Sequence, residues 1–318
     1  MSQITRQFNT ALPRVVVGTS SLGSVLPDGL ASSRAREETF AYLDALVEAG
    51  ATAFDLAASY QIGGTERLFG AWMASRRNRD RLLLIEKGCH PLPVVEPHRL
   101  TARALEDDLH ASLRRLRVES VDLYLLHRDD EGAPLEPVVR ALERARDAGK
   151  IGGWGVSNFT HERVRAIAEV AGEPPAISSP HFSLFDWTRP PFAGCVSIAG
   201  DRGRAARAYY ASSGIRVLAW QPLGAGFLGG GGGRAYASDE NRARLRRAER
   251  LARGRGLTVG QIALAYLLQQ PFPVHAVVAS RRVETMKKNL AAEGVRLSPD
   301  ELRWLESNEG AEPSEARA

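Results

Sequence analysis

Cysteine is nearly missing from this chain of 318 residues, where only Cys89 and Cys195 occur. Two thiols cannot form a disulfide framework, so a stapled secreted domain is not the expectation and a reducing cytoplasm is. Long apolar runs are missing too: none approaches the roughly 18–20 residues that span a bilayer. The opening stretch Met1-Ser2-Gln3-Ile4-Thr5-Arg6-Gln7 lacks the apolar centre of a signal peptide. Charge of one sign is in small excess, with 42 Lys and Arg against 37 Asp and Glu. The arginines fall mostly on solvated helix faces (Arg242, Arg244, Arg246, Arg247, Arg250) rather than in a stripe. Neither nucleic acid nor a membrane is therefore the expected partner. No G-x-x-x-x-G-K-[ST] phosphate loop occurs either.

What is present is a rhythm. Strand-like runs fall at 14–18, 52–55, 82–87, 121–127, 153–156, 176–179, 217–220 and 276–279. Helical patterns alternate with them at 33–49, 65–77, 100–117, 135–148, 161–171, 203–213, 259–269 and 284–292. Strand alternating with helix implies a parallel sheet, and eight such units imply closure into a (β/α)8 TIM barrel of class α/β. Gly50, Gly149, Gly172 and Gly214 stand where helices end, at positions that favour a left-handed residue. No break in composition divides the chain, so residues 1–318 read as a single domain. Two long connections, 180–200 and 223–240, follow strand ends and are expected over the barrel mouth. The run Gly229 to Gly233 in the second predicts a mobile lid segment.

Several polar residues end the apolar runs. Asp55 closes one, with Tyr60 five residues on beside Gly63-Gly64; Lys87 closes another, and His127 a third. A buried carboxylate, phenol, ammonium or imidazole is costly without a partner, and successive strand ends of a barrel bring such groups together. Other motifs carry less. Gly224-Ala225-Gly226-Phe227-Leu228-Gly229 matches G-x-G-x-x-G, but further glycines follow where a dinucleotide fold needs a helix to start. Cys89-His90 with His98 offers one adjacent pair where zinc wants three or four spaced ligands, so no metal is expected. Asp129-Asp130 reads equally as a carboxylate pair or as a solvated turn before Pro134. Ser157-Asn158 reads as a helix N-cap, and Trp220 as a core aromatic. Ser280-Arg281-Arg282 with Lys287-Lys288 crowds four cations and a hydroxyl beside the start of a helix, a pattern that suits a phosphate or a solvated basic face.

Taken in order, these residues resemble the aldo-keto reductase family over roughly 15–304. The resemblance rests on Asp55 and Tyr60 in D-x-x-x-x-Y, on Lys87, and on Leu125-Leu126-His127. It rests also on Gly155-Val156-Ser157-Asn158-Phe159 and Leu218-Ala219-Trp220-Gln221-Pro222-Leu223-Gly224. It implies an enzyme that reduces an aldehyde or ketone with NADP(H), with Asp55, Tyr60, Lys87 and His127 catalytic and Tyr60 as the acid. It implies that Ser157, Asn158 and Ser179 hold the nicotinamide carboxamide and that Trp220 stacks on the ring. Ser280, Arg281 or Arg282, and Asn289 then hold the adenosine 2′-phosphate and adenine. Two departures stand out: Ser179 where the family has glutamine, and Lys288 where it commonly has glutamate. A catalytically silent NADPH-binding regulatory subunit, and an enzyme oxidising a sugar or polyol, are the alternative readings.

Overall fold

The computed structural model describes residues 12–22, 33–92, 96–229 and 234–307. Among the described residues there are eight strands: β1 (Val15–Gly18), β2 (Ala53–Asp55), β3 (Leu83–Gly88), β4 (Val121–Leu126), β5 (Ile151–Ser157), β6 (Ile177–Ser179), β7 (Arg216–Ala219) and β8 (Val274–Val278). They follow one another in sequence order around a closed barrel, as the alternation predicts. The helices are α1 (Ser33–Glu48), α2 (Gly64–Arg76), α3 (Ala102–Leu116), α4 (Leu135–Asp147), α5 (His161–Ala171), α6 (Arg204–Ser213), α7 (Asp239–Arg255), α8 (Val259–Leu268), α9 (Val283–Leu290) and α10 (Pro299–Glu306). Packing divides the chain into two compact units, Met1–Ser179 and Pro180–Ala318.

In the first unit the strands are short and almost wholly buried, and register sets which side chain faces which layer. Phe54 pairs with Leu84, and Asp55 with Ile85. Alternate residues point to opposite faces, so Phe54 and Asp55 cannot share one. Phe54 meets α2, with its ring 5.0 Å from Phe69 and 6.1 Å from Trp72. All three rings are fully buried, each worth about 1.5–3 kcal/mol relative to exposure. Helix α2 also lies unusually close to the end of α3. A Cβ on Gly70 would stand 2.5 Å from the carbonyl oxygen of Arg115, so glycine is required by space rather than by conformation.

Helix ends follow local chemistry. Thr101 caps α3 by accepting from the Ala104 N–H, Thr160 caps α5 by accepting from that of Arg163, and Gly172 closes α5 with φ 67°. The cap of α5 is thus Thr160 and not Ser157-Asn158. Gly50, Gly149 and Gly214 likewise take positive φ, as their positions after helices require.

In the second unit the two long connections are fastened to each other. The Asn241 amide donates to the carbonyls of Asp186 at 2.6 Å and Tyr236 at 2.8 Å, and its oxygen accepts from the Asp186 N–H at 3.1 Å. Thr188 N–H donates to the Ala235 carbonyl at 2.6 Å, and the Ser183 hydroxyl to that of Pro222 at 2.9 Å. The aromatic residues of 180–200 are largely core: Phe182, Phe185 and Trp187 are buried, and Phe192 is exposed. Of the glycine run, residues 230–233 lie outside the described residues, so the expected lid falls there. The segment flanking it at 234–241 is hydrogen-bonded. Among the described residues two helices escape the eightfold count: α7, whose surface is mostly arginine and which buries Ala248, Leu251 and Ala252, and α10, opened by a capping box between Ser298 and Glu301.

Candidate active site

Strand ends place the four polar residues. Asp55 is the last residue of β2, Lys87 the penultimate residue of β3, and His127 follows β4 directly. Beyond β2 the chain stays hydrogen-bonded along β3, with Leu56 N–H donating to Ile85 O at 2.8 Å and Ala58 N–H to Lys87 O at 2.9 Å. That extension carries Tyr60 to the head of a 3₁₀ turn (Tyr60–Gly63) level with Lys87. The turn is tightly constrained: Gln61 and Ile62 take φ 50° and 53°, left-handed values costly for a β-branched residue.

The four side chains meet. Lys87 Nζ donates to Asp55 Oδ1 at 2.6 Å and to the Leu56 carbonyl at 2.8 Å, and lies 4.9 Å from the centre of the Tyr60 ring. Tyr60 donates to Asp55 Oδ2 at 3.2 Å. The Tyr60 and His127 rings stand edge to face, with centroids 6.0 Å apart. Asp55, Lys87 and His127 are all buried. An ion pair in that setting holds together because each charge answers the other and each has further hydrogen bonds.

Electrostatics sets the protonation states. Burial pulls the Lys87 ammonium down, but Asp55 and then Tyr60 outweigh it and lift its pKa above the ordinary value. Burial, reinforced by Asp55, raises the Tyr60 phenol above its usual range, and Lys87 opposes the rise without cancelling it. Tyr60 therefore holds its proton through neutral pH. Burial first, then Lys87, holds His127 far below the ordinary imidazole value, so it is neutral. Its Nδ1 stands 3.4 Å from the Ser59 hydroxyl, and the His90 ring packs edge-on at 4.8 Å. His90, weighed as a metal ligand in the sequence, has its Nδ1 2.8 Å from the Pro91 carbonyl. A carbonyl only accepts, so this nitrogen carries a proton and donates. His98 and Asp130 pair at 2.8 Å, and Arg163 takes Asp129 at 3.0 Å. Those two carboxylates thus have structural partners. Ser59 was missed by the sequence reading; it lies within D-x-x-x-x-Y, but only its geometry shows what it faces.

Ser157, Asn158 and Ser179 come together at the ends of β5 and β6. Asn158 N–H and the Ser157 hydroxyl both donate to the Ser179 carbonyl, at 3.0 and 3.2 Å. Asn158 takes φ 58°, and its amide donates to Ser157 Oγ at 3.0 Å and to His127 O at 3.4 Å. In the second unit, Trp220 follows β7 half-buried, and its indole Nε1 is enclosed without an acceptor. Asn289 on α9 is buried, and its Nδ2 also lacks an acceptor. Ser280 Oγ accepts from the Arg282 N–H at 3.1 Å, just ahead of α9, while Arg281 and Arg282 are exposed. Of the hydroxyl and four cations singled out in the sequence, these three residues precede α9, whose first turn carries Glu284. Lys287 and Lys288 fall in its last turn, and Lys287 pairs with Glu284 at 2.8 Å, which corrects the sequence picture of four cations around one helix start. In the G-x-G-x-x-G segment, Phe227–Gly229 is a 3₁₀ turn, and the next α-helix among the described residues starts at Asp239.

Comparison with known proteins gives the family. The chain is 29% identical over 296 residues to a norsolorinic acid reductase of Emericella nidulans, covering 85% of this chain and 72% of that one. It is 26% identical to an NADP(+) aryl-alcohol dehydrogenase of Phanerodontia chrysosporium, with 85% and 75% covered. A Klebsiella pneumoniae aldo/keto reductase solved with NADP and acetate superposes with a TM-score of 0.68 at 28% identity, covering 92% of this chain and 90% of that one. A thermostable aldo-keto reductase solved with the inhibitor epalrestat gives a TM-score of 0.74 at 26% identity, with 93% and 94% covered. The sequence model of the Aldo/keto reductase family matches residues 14–309, and with that match the chain belongs to the aldo/keto reductase family of oxidoreductases.

Proposed function

We propose that this chain reduces an aldehyde or ketone to an alcohol with NADPH. The observation that carries the reading is the buried Lys87–Asp55 ion pair joined to the phenol of a protonated Tyr60, with a neutral His127 beside it. As the carbonyl is reduced, negative charge builds on its oxygen and a proton must arrive there. Tyr60 gives that proton. Lys87 lowers the cost of the phenolate left behind, and Asp55 keeps the ammonium in place. His127, neutral, donates from its other ring nitrogen to the same oxygen and orients it.

The residues present fit a nicotinamide dinucleotide phosphate. The enclosed Nδ2 of Asn289 suits an acceptor on an adenine ring, and Arg281 or Arg282 beside Ser280 suits the 2′-phosphate dianion. We assign the nicotinamide carboxamide to Ser157, Asn158 and Ser179, and the face of its ring to Trp220. Bound there, the cofactor supplies the hydride. Similarity to an aryl-alcohol dehydrogenase and a norsolorinic acid reductase supports aromatic carbonyls as first substrates to try. The scarcity of cysteine, two in 318 residues, supports a reducing compartment.

A panel of aromatic and aliphatic aldehydes, ketones and sugars, followed at the NADPH absorbance band, tests the reading. Turnover of at least one carbonyl is expected. Tight NADPH binding with no turnover across the panel would instead favour a silent cofactor-binding subunit.

A further inference from the structure

The second unit holds a buried imidazole for which the proposed chemistry has no use. His181 is fully buried, two residues beyond β6, and stacks on Trp187 with centroids 4.1 Å apart and planes 18° from parallel. Its other neighbours are Trp220, edge-on at 5.2 Å, and the ring of Tyr236 at 5.9 Å. Both nitrogens are engaged: Nδ1 lies 2.7 Å from Ser197 Oγ and Nε2 3.0 Å from the Tyr236 hydroxyl. Tyr236 is itself buried and donates to Gln221 Oε1 at 3.0 Å.

Donor bookkeeping gives this chain a direction. With its proton committed to Gln221, the Tyr236 oxygen accepts from His181, so the imidazole proton is on Nε2. Nδ1 then accepts from the Ser197 hydroxyl, whose oxygen in turn accepts the Ala199 N–H at 3.1 Å. Burial holds the His181 pKa down at about 3, which keeps one proton on the ring. The main chain adds to the order: His181 bridges to both Ser197 and Trp220, and Gln221 takes φ 50° immediately after Trp220.

A phenylalanine would fill this volume without the cost of burying two polar atoms. What the imidazole adds is a fixed rotation, because two hydrogen bonds in opposite directions leave the ring one orientation. Trp220 and Trp187 pack on that ring and on each other, with centroids 5.4 Å apart. Of the three, Trp187 and His181 are buried and Trp220 is half-buried.

We propose that His181 is a positioning residue: the Ser197–His181–Tyr236–Gln221 chain fixes the plane of the Trp220 indole, and with it the seat of the nicotinamide ring. The inference rests on the proposed function, which gives Trp220 that ring, and adds what holds Trp220 in place.

The test uses Tyr236→Phe, which removes one hydroxyl and keeps the ring, together with Ser197→Ala, which breaks the chain from its other end. Three quantities are read on the full-length protein: quenching of tryptophan fluorescence by NADPH, the isotope effect with cofactor deuterated at the transferred position, and affinity for adenosine 2′,5′-bisphosphate. A ring displaced from near-attack distance slows hydride transfer. Expected in both variants are a quench cut by at least half, kcat lowered at least about fivefold, and a raised isotope effect. The bisphosphate, which has no nicotinamide, should bind as in wild type. Wild-type quench and isotope effect in either folded variant would overturn the proposal. Equal loss of bisphosphate affinity would overturn it too, because the chain would then serve the fold at large. Absence of both turnover and quench in the wild-type protein would instead bring down the proposed function, and this inference with it.

Discussion

At the scale of single residues, the site turns on where protons reside. Tyr60 is held above its ordinary pKa mainly by burial, with Lys87 limiting the rise. The reduction rate should therefore stay flat through neutral pH, with any alkaline fall lying above the phenol's usual value of ~10. Tyr60→Phe should cost at least about 10²-fold in kcat, the lower end for a general acid, while leaving NADPH affinity near wild type. A variant keeping a tenth of the wild-type rate would remove Tyr60 from that role. Lys87→Met should be as severe, because it strands Asp55 and leaves the phenolate unsupported. Ser59 makes a finer demand. If His127 donates to the carbonyl from Nε2, its Nδ1 must accept, and the hydroxyl 3.4 Å away is the donor. Ser59→Ala should lower kcat about three- to tenfold, near one hydrogen bond's net worth of ~0.5–1.5 kcal/mol, with KM little changed. Nitrogen-15 shifts of His127 should show the tautomer mixture broaden, and Ser59→Thr should restore both. Unaltered shifts in Ser59→Ala would disconnect the hydroxyl from the tautomer.

At the scale of elements, the strands were legible because their apolar runs are short and bounded, and several are closed by a polar residue. Asp55, Lys87 and His127 could be placed at strand ends from sequence, and the structure puts them there. Ser179 beside Ser157 and Asn158 was legible in the same way, since β5 and β6 pair in register at Ser157 and Ser179. Less could be read where long-range partners decide. The connection 180–200 is expected over the barrel mouth from sequence, yet its Phe182, Phe185 and Trp187 are core. Composition cannot distinguish the two, because both need the same side chains. The start of α9 carries a prediction of its own. Arg281 and Arg282 are exposed beside the Ser280 hydroxyl, and a helix N-terminus favours an anion. Replacing the arginine that binds the 2′-phosphate should weaken NADPH at least about tenfold, since a charge-assisted contact contributes ~1.5–3 kcal/mol. NADH affinity should barely move. Titrating both cofactors into Arg281→Ala and Arg282→Ala decides it, and a loss shared by the two cofactors would point to the fold.

For the molecule as a whole, the same alternation that turns Lys87 toward Asp55 turns its neighbour Glu86 the other way. Glu86 is fully buried and pairs in register with Tyr124 on β4. One carboxyl oxygen accepts the Lys87 N–H at 2.9 Å, while the other, like Oε1 of buried Glu66, has no hydrogen-bond partner. Burial first, then Glu66, raises the pKa of Glu86 well above the usual carboxylate value. The folded state therefore keeps a proton that the unfolded chain releases once pH exceeds about 4.5. Above that pH the native state binds more protons than the unfolded one, so this group makes stability fall as pH rises, by up to about 1.4 kcal/mol per unit. His181 acts in the opposite sense: its depressed pKa removes stability as pH falls from 6.5 toward about 3. Two buried groups thus pull the stability curve down from either side. Glu86→Gln has nearly the same shape, still accepts from Lys87, and cannot ionise. Its gain over wild type should be small at pH 5 and grow as pH rises until the buried carboxyl itself ionises, read from urea midpoints at each pH. Parallel curves for the two proteins would mean that Glu86 is already ionised in the native state, and that its environment stabilises the charge better than its burial allows.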